Sequence, residues 1–311
     1  MARKKIALVG AGQIGGNLAL LAAQKELGDV ILFDIPAAEG LAKGKALDMQ
    51  QMSTIERYDS VLTGSSNYDD LKGADVVIIT AGIPRKPGMS REDLLDTNLK
   101  IMTNVANELK RVCPDAFMIN IANPLDAMVY ALKKITGGSK QRIVGMSGIL
   151  DTARFKSFIS SELNVSMKDV TALVLGGHGD DMVPITRLTT VGGVPVTELI
   201  KKDRLDAIVD RTRKGGAELV GLYKTGSAYF APAAAAVEMA EAFLKDQRRI
   251  IPVCTWLEGE FGINDLYFGV PAVIGANGVE KVVTFELTAE EKAMMEKSAA
   301  SVRKTAAETK L

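Results

Sequence analysis

A single histidine occurs in the 311 residues, and its surroundings suit acid–base chemistry. His178 stands in Leu175-Gly176-Gly177-His178-Gly179-Asp180, directly after the apolar run 170–175. Histidine alone has an unperturbed pKa near neutrality, so a strand that delivers this imidazole into a glycine-flanked turn leaves it without a competitor as proton donor at pH 7. A turn histidine with both nitrogens in water is the plainer reading. Asp151 and Arg154, in Gly148-Ile149-Leu150-Asp151-Thr152-Ala153-Arg154, are three positions apart and so share a helix face. The same spacing suits a surface ion pair worth about 0–1 kcal/mol, and Asp151 would equally serve as N-cap of a helix over 152–163.

A second constellation points to a phosphate-bearing ligand. Gly10-Ala11-Gly12-Gln13-Ile14-Gly15 fits G-x-G-x-x-G. In a chain with 29 glycines that string is weak by itself. Its context gives it force: it follows a strand at 6–9, opens a helix from about 14 to 27, and precedes an acid, Asp34, at the end of the second strand. Gly10 permits the tight turn, Gly12 lets the backbone approach a pyrophosphate, Gly15 lets helix and strand pack closely, and the helix N-terminus offers N–H groups to the anion. Asp34 would hydrogen-bond the adenosine ribose and repel a 2′-phosphate, so NAD is expected over NADP. Its alternative is a cap or turn acid before Pro36.

These residues need elements to position them. Short apolar runs at 6–9, 30–33, 61–63, 76–80, 117–121 and 143–144 are separated mostly by amphipathic segments, the pattern of a parallel sheet covered on both faces. The expected fold is α/β, a doubly wound parallel (Rossmann) sheet over residues 1–150, followed by a mixed α+β substrate domain over 151–311. The second part reads as a helix at 152–163, strands near 170–175 and 183–191, long helices at 204–223 and 227–245, strands at 250–257, 267–274 and 282–285, and a charged helix at 289–308. The segment 227–245 is apolar nearly all round, so it should be buried on more than one side. With Leu41, Leu47, Met49 and Met52 on an earlier helix, it points to a subunit interface, the alternative being burial between the two domains.

Composition removes several function classes. Lys plus Arg and Asp plus Glu are both 38, so no net charge marks a nucleic-acid binder or a basic membrane arm, and any anionic ligand must be held by a local cluster. Two cysteines, Cys113 and Cys254, with one histidine cannot form a Cys/His zinc site, and no spacing suggests a metal site of another kind. Both read as structural thiols in a reducing compartment, with cytoplasm expected. The N-terminus runs straight into a strand without a signal-like apolar region, and no window reaches the roughly 18 consecutive apolar residues of a membrane span.

Three further segments carry a resemblance: Ala81-Gly82-Ile83-Pro84-Arg85-Lys86-Pro87-Gly88-Met89-Ser90-Arg91, Ile121-Ala122-Asn123-Pro124-Leu125-Asp126, and the stretch from Gly148 to Arg154. With the Gly-Gly-His178-Gly-Asp turn, they make the chain closely similar to the lactate/malate dehydrogenase superfamily, specifically its lactate-dehydrogenase-like malate dehydrogenases of bacterial and apicomplexan type. The resemblance runs from Lys5 to the last helix. It implies hydride transfer between nicotinamide and C2 of a 2-hydroxy or 2-keto acid, in a homotetramer or homodimer.

Residue by residue, the resemblance makes His178 the proton donor, Asp151 the partner of its other ring nitrogen, and Arg154 the fork for the substrate's C1 carboxylate. Asn123 would bond the substrate oxygen and line the nicotinamide site, with a cis peptide to Pro124. Residues 82–91, by themselves a solvated basic loop, would be a closing lid in which Arg91 polarises the carbonyl. Gln13, Ile14 and Asn98 would join Gly10, Gly12, Gly15, Asp34 and Asn123 in binding NAD. Arg85 would face a second carboxylate where lactate enzymes of the family carry glutamine. Ala228, matching a pocket threonine of those enzymes, also suits a dicarboxylate, so malate/oxaloacetate is the expected substrate. An L-lactate dehydrogenase and a non-catalytic NAD-sensing protein are the alternatives. The latter should lack the set of His178, Asp151 and Arg154 and carry a basic DNA-binding segment, which the neutral chain does not display.

Overall fold

The computed structural model describes residues 3–84 and 91–311, with the side chain of Arg91 outside the described set. Six parallel strands form the frame: β1 (Lys5–Val9), β2 (Asp29–Phe33), β3 (Leu62–Ser65), β4 (Val76–Ile79), β5 (Phe117–Asn120) and β6 (Ile143–Gly145), ordered β6-β5-β4-β1-β2-β3. Between them run α1 (Gln13–Gln24), α2 (Glu39–Glu56), α3 (Arg91–Val112) and α4 (Leu125–Thr136). Alternation along each strand builds two cores. Ile6 and Leu8 of β1, Val76 and Ile78 of β4, and Phe117 and Ile119 of β5 pack with Leu18 and Ala22 of α1. Ala7 and Val9, Val77 and Ile79, and Met118 face the other side, against Met102 and Leu109 of α3 and Met128 of α4. With both faces covered, each large apolar side chain contributes about 1.5–3 kcal/mol, which is why these strands read as unbroken apolar runs.

The rest of the chain opens with α5 (Gly148–Leu163), then short strands β7 (Val170–Thr171), β8 (Val174–Leu175), β9 (Val183–Pro184), β10 (Thr190–Val191) and β11 (Val194–Pro195). There follow α6 (Val196–Leu199), α7 (Lys202–Tyr223), α8 (Phe230–Leu244), β12 (Arg249–Glu258), β13 (Asn264–Gly275), β14 (Gly278–Val282) and α9 (Ala289–Ala307). The expected strand at 183–191 is interrupted by a 3₁₀ turn at Thr186–Leu188. Strand β12 pairs antiparallel with β6, so β12, β13 and β14 extend the frame into one nine-stranded sheet. Most apolar residues of α8 are buried within the chain, Ala236, Met239, Ala240 and Phe243 joining the core beside α1, while Phe230, Ala231 and Ala234 near its start are exposed. The apolar residues left on the surface of α2 are Leu41, Leu47 and Ile55.

Candidate active site

The glycine loop lies between the C-terminal end of β1 and α1, beside the ends of β2 and β4, where open α/β sheets bind ligands. Gly10 has φ +114°, and a Cβ there would overlap Thr80 Oγ1, while one at Gly15 would overlap the carbonyl oxygen of Gly10. A Cβ on Gly12 would meet nothing within 4 Å. Packing therefore demands the first and third glycines, and the second leaves an open approach to the start of α1, whose N-cap Gly12 provides no side-chain acceptor. Gln13 and Ile14 are the first two residues of that helix. Asp34 Oδ2 accepts from the N–H of Ala11 at 2.7 Å and Oδ1 from that of Ile35 at 2.8 Å. A carboxylate bonded in this way is fixed against the loop and retains lone pairs for a ribose diol. Lys45 of α2 latches the same loop, its Nζ donating to the carbonyls of Ala11 at 2.9 Å and Gly12 at 2.7 Å. Burial lowers the Lys45 pKa, against the opposing pull of Asp34.

Helix α5 begins at Gly148, with Ser147 as its N-cap, so Asp151 lies inside the first turn and is not the cap that a helix from 152 would need. Asp151 is 2% exposed and Arg154 14%, which removes the surface-pair reading. One carboxylate serves two donors: His178 Nδ1 lies 2.8 Å from Asp151 Oδ2, and Arg154 Nη1 donates to Oδ1 at 3.2 Å. The water-facing reading of His178 fails for the same reason, since Nδ1 is committed and only Nε2 is left to face a ligand. Burial pushes the His178 pKa down, but the charge and hydrogen bond of Asp151, helped by Asp126 and opposed by Arg154, outweigh it and leave the pKa above the usual histidine value.

The turn that carries His178 is held by three successive main-chain N–H groups. That of Gly176 donates to the carbonyl of Gly269 on β13 at 2.9 Å, that of Gly177 to Ser298 Oγ on α9 at 2.9 Å, and that of His178 to Asp126 Oδ2 on α4 at 3.1 Å. Each N–H meets a different element, so the imidazole is placed by the assembled fold and not by its own strand.

Asn123 follows β5, exposed, and its peptide to Pro124 is cis. Asn98 on α3 is buried behind it: Oδ1 accepts from the N–H of Ile83 at 2.8 Å, and Nδ2 donates to the carbonyls of Ile83 at 3.1 Å and Asn123 at 2.6 Å. Both amide protons are spent on main chain, so Asn98 braces the backbone on either side of the site. Arg85 lies outside the described residues, as does the side chain of Arg91 at the start of α3. The sequence reading assigned no task to Lys45, Asp126, Cys254 or Gly215. Gly215 on α7 faces Arg154, where a Cβ would come 3.1 Å from Cδ. A glycine pair inside a long helix, Gly215-Gly216, was the available signal, since glycine is disfavoured there without a packing reason.

Comparison with known proteins assigns the family. Residues 4–145 match the lactate/malate dehydrogenase NAD binding domain, and residues 149–310 match the lactate/malate dehydrogenase alpha/beta C-terminal domain. A malate dehydrogenase of Myxococcus xanthus is 64% identical over 309 residues, covering 99% of this chain and 98% of the relative. The crystal structure of Cryptosporidium parvum malate dehydrogenase superposes with a TM-score of 0.96 at 47% identity, covering 99% of both chains. A lactate dehydrogenase of the same organism, solved with lactic acid and nicotinamide adenine dinucleotide, also reaches 0.96, at 43% identity over 100% of this chain and 99% of its own. The chain belongs to the lactate/malate dehydrogenase family.

Proposed function

We propose that this family member is an NAD-dependent malate dehydrogenase, reducing oxaloacetate to (S)-malate with NADH and catalysing the reverse reaction. The observation that carries the acid–base part is the buried pair of His178 and Asp151 at 2.8 Å, with Arg154 on the second oxygen of the same carboxylate. Bound NADH supplies the hydride that arrives at C2. His178 Nε2 gives its proton to the carbonyl oxygen, and Asp151 stabilises imidazolium before that transfer and fixes the ring orientation throughout. In this reading Arg154 forks the C1 carboxylate, Asn123 bonds the substrate oxygen, and Asn98 acts on the cofactor side by holding the main chain of Asn123 in place. Arg91 polarises the carbonyl and Arg85 pairs with the second carboxylate. For the dinucleotide, Gly10, Gly12 and Gly15 shape the pyrophosphate approach, Gln13 and Ile14 present the helix start, and Asp34 takes the ribose.

Fold alone does not choose the substrate, because a lactate enzyme and a malate enzyme superpose on the chain equally well. What favours malate is the 64% identity to a malate dehydrogenase over nearly the full chain, together with arginine at position 85. We treat residues 1–150 and 151–311 as the cofactor and substrate units. The exposed Leu41, Leu47 and Ile55 of α2 support a homo-oligomer, dimer or tetramer. Buried, unpaired Cys113 and Cys254 support a reducing, cytoplasmic setting, and among the described residues no helix is long and apolar enough to cross a membrane. The test is steady-state reduction of oxaloacetate and pyruvate, each with NADH and NADPH. A kcat/KM higher for oxaloacetate with NADH than for the other three pairings is expected, and preference for pyruvate would overturn the substrate assignment.

A further inference from the structure

Against the main chain of His178 lies a carboxylate that the proton-transfer scheme does not use. Asp126 sits in the first turn of α4, 9% exposed, three residues after Asn123. Its two oxygens have different partners: Oδ2 accepts from the main-chain N–H of His178 at 3.1 Å, and Oδ1 accepts from Cys254 Sγ on β12 at 3.2 Å. The Cys254 thiol is wholly buried. A buried carboxylate is costly unless bonded, and a leucine or asparagine here could fill the space, so the charge needs a reason.

We propose that Asp126 is a second positioning carboxylate for the proton donor: it anchors the His178 main chain to the helix that follows Asn123, and it places a negative charge near the imidazole that favours imidazolium. This rests on the acid–base role of His178 given above. The geometry supports it in two ways. The anchor joins the turn bearing the proton donor directly to the helix that starts two residues after Asn123, so the two groups acting on one substrate oxygen share a brace. The charge is kept in place by two donors and by the N-terminal end of α4, whose dipole favours an anion. Burial pushes the Asp126 carboxyl above its usual range and the charge of Asp151 adds to the rise, while the Cys254 thiol, the His178 charge and the His178 N–H pull the other way and offset it only in part. Protonation of His178 and ionisation of Asp126 therefore support each other.

Other charged groups among the described residues also lie around the turn. Asp151 and Arg154 reach it from α5, Asp181 on the turn's own strand-side flank pairs with Lys297 of α9 at 3.0 Å, and Asp180 is exposed. Tyr267 of β13, with its hydroxyl buried and without a hydrogen-bond partner among the described residues, stays neutral, since burial raises its pKa well above the usual value. Among the described residues, Asp151 and Asp126 are the two acids whose charge favours a proton on the imidazole, Asp151 also through its hydrogen bond.

Because the chain has one histidine, its titration can be read without assignment. The full-length protein, with any affinity tag removed, is labelled with ¹³C at histidine Cε1, and the single imidazole signal is followed against pH by NMR, with and without saturating NADH. Asp126→Asn keeps an acceptor for the His178 N–H and removes the charge. It should lower the His178 pKa by about one pH unit, a tenfold loss of proton affinity, and move the falling limb of oxaloacetate reduction to lower pH by the same amount. Cys254→Ala, which withdraws one donor from Asp126, should shift the signal the same way by less, and Cys254→Ser should restore it. A titration unmoved in folded Asp126→Asn overturns the proposal. If that variant does not fold, an unmoved titration in Cys254→Ala does so. The readout needs no substrate, so a wild-type protein that failed to reduce oxaloacetate would refute the functional reading and leave this test standing.

Discussion

Replacing Asp151 with asparagine should cost far more than the loss of one hydrogen bond, because the carboxylate has two oxygens and both are in use. His178 Nδ1 takes one at 2.8 Å and Arg154 Nη1 the other at 3.2 Å. An amide has one acceptor oxygen and a donor in place of the second. If the oxygen turns to Arg154, the NH₂ group faces Nδ1 and holds a neutral imidazole with its proton on Nε2, which is a poor acid. If it turns to His178, the NH₂ group faces the guanidinium, donor against donor, and the fork for the substrate carboxylate is displaced. The site is 2% exposed at position 151, so water cannot repair either arrangement. Truncating one member of a buried charge pair costs about 2–5 kcal/mol, so kcat/KM for oxaloacetate should fall by about 30- to 5,000-fold. The pH dependence gives an independent check. Reduction needs protonated His178, so its rate is full below the His178 pKa and is lost as pH rises through it. With Asp151 gone, burial and Arg154 both push that pKa down, and the falling limb should move to lower pH, each unit removing about tenfold of the protonated form above it. The assay is steady-state reduction between about pH 5.5 and 9, limits about one unit below and more than two units above histidine's ordinary pKa, with NADH binding followed by fluorescence to show an intact fold. A variant within tenfold of wild type with an unmoved limb would refute the reasoning.

Asp34→Ser removes the charge that the Ala11 and Ile35 N–H groups hold beside the glycine loop, and should shift preference toward NADPH by about 1–2 kcal/mol; an unchanged ratio of kcat/KM for the two cofactors would count against the ribose role. Arg85→Gln should lower kcat/KM for oxaloacetate by about 30- to 5,000-fold and improve pyruvate, whereas unaffected oxaloacetate turnover at low concentration would make Arg85 a solvated loop charge. Gly215→Ala improves the helix propensity of α7 by about 1 kcal/mol but sets a Cβ 3.1 Å from Arg154 Cδ. The expected result is unchanged or raised thermal stability with a KM for oxaloacetate several-fold higher, and an unaltered KM would show that Arg154 has slack.

The sequence by itself determined the cofactor half of this protein and the identities of its chemical groups. A glycine loop, the strand before it, the helix after it and Asp34 lie within one short stretch, and their geometry follows from local rules: a positive φ at Gly10, close packing at Gly15, a helix N-terminus. The unbroken apolar strands declared a sheet covered on both faces for the same reason. Resemblance then supplied Asp151, Arg154, Asn123 and His178 with roles, but not their surroundings. Where contacts are non-local, only the tertiary structure decided. His178 meets Asp151 across 27 residues, Asp126 across 52, and Asp126 meets Cys254 across 128. No periodicity registers such separations, so Asp126 stood inside a quoted motif without a task and Cys254 read as an ordinary core thiol. The same holds for β12, which reads as a strand of a separate second domain until it pairs with β6 and extends the first sheet. Helix α8 presents apolar residues on every side, and composition cannot say whether a neighbouring chain or this one covers them. Here the protein's own α1 and central sheet cover most of them and leave Phe230, Ala231 and Ala234 exposed. A strand or a loop can be written into a short segment of chain, but a proton donor is made by what folding brings against it.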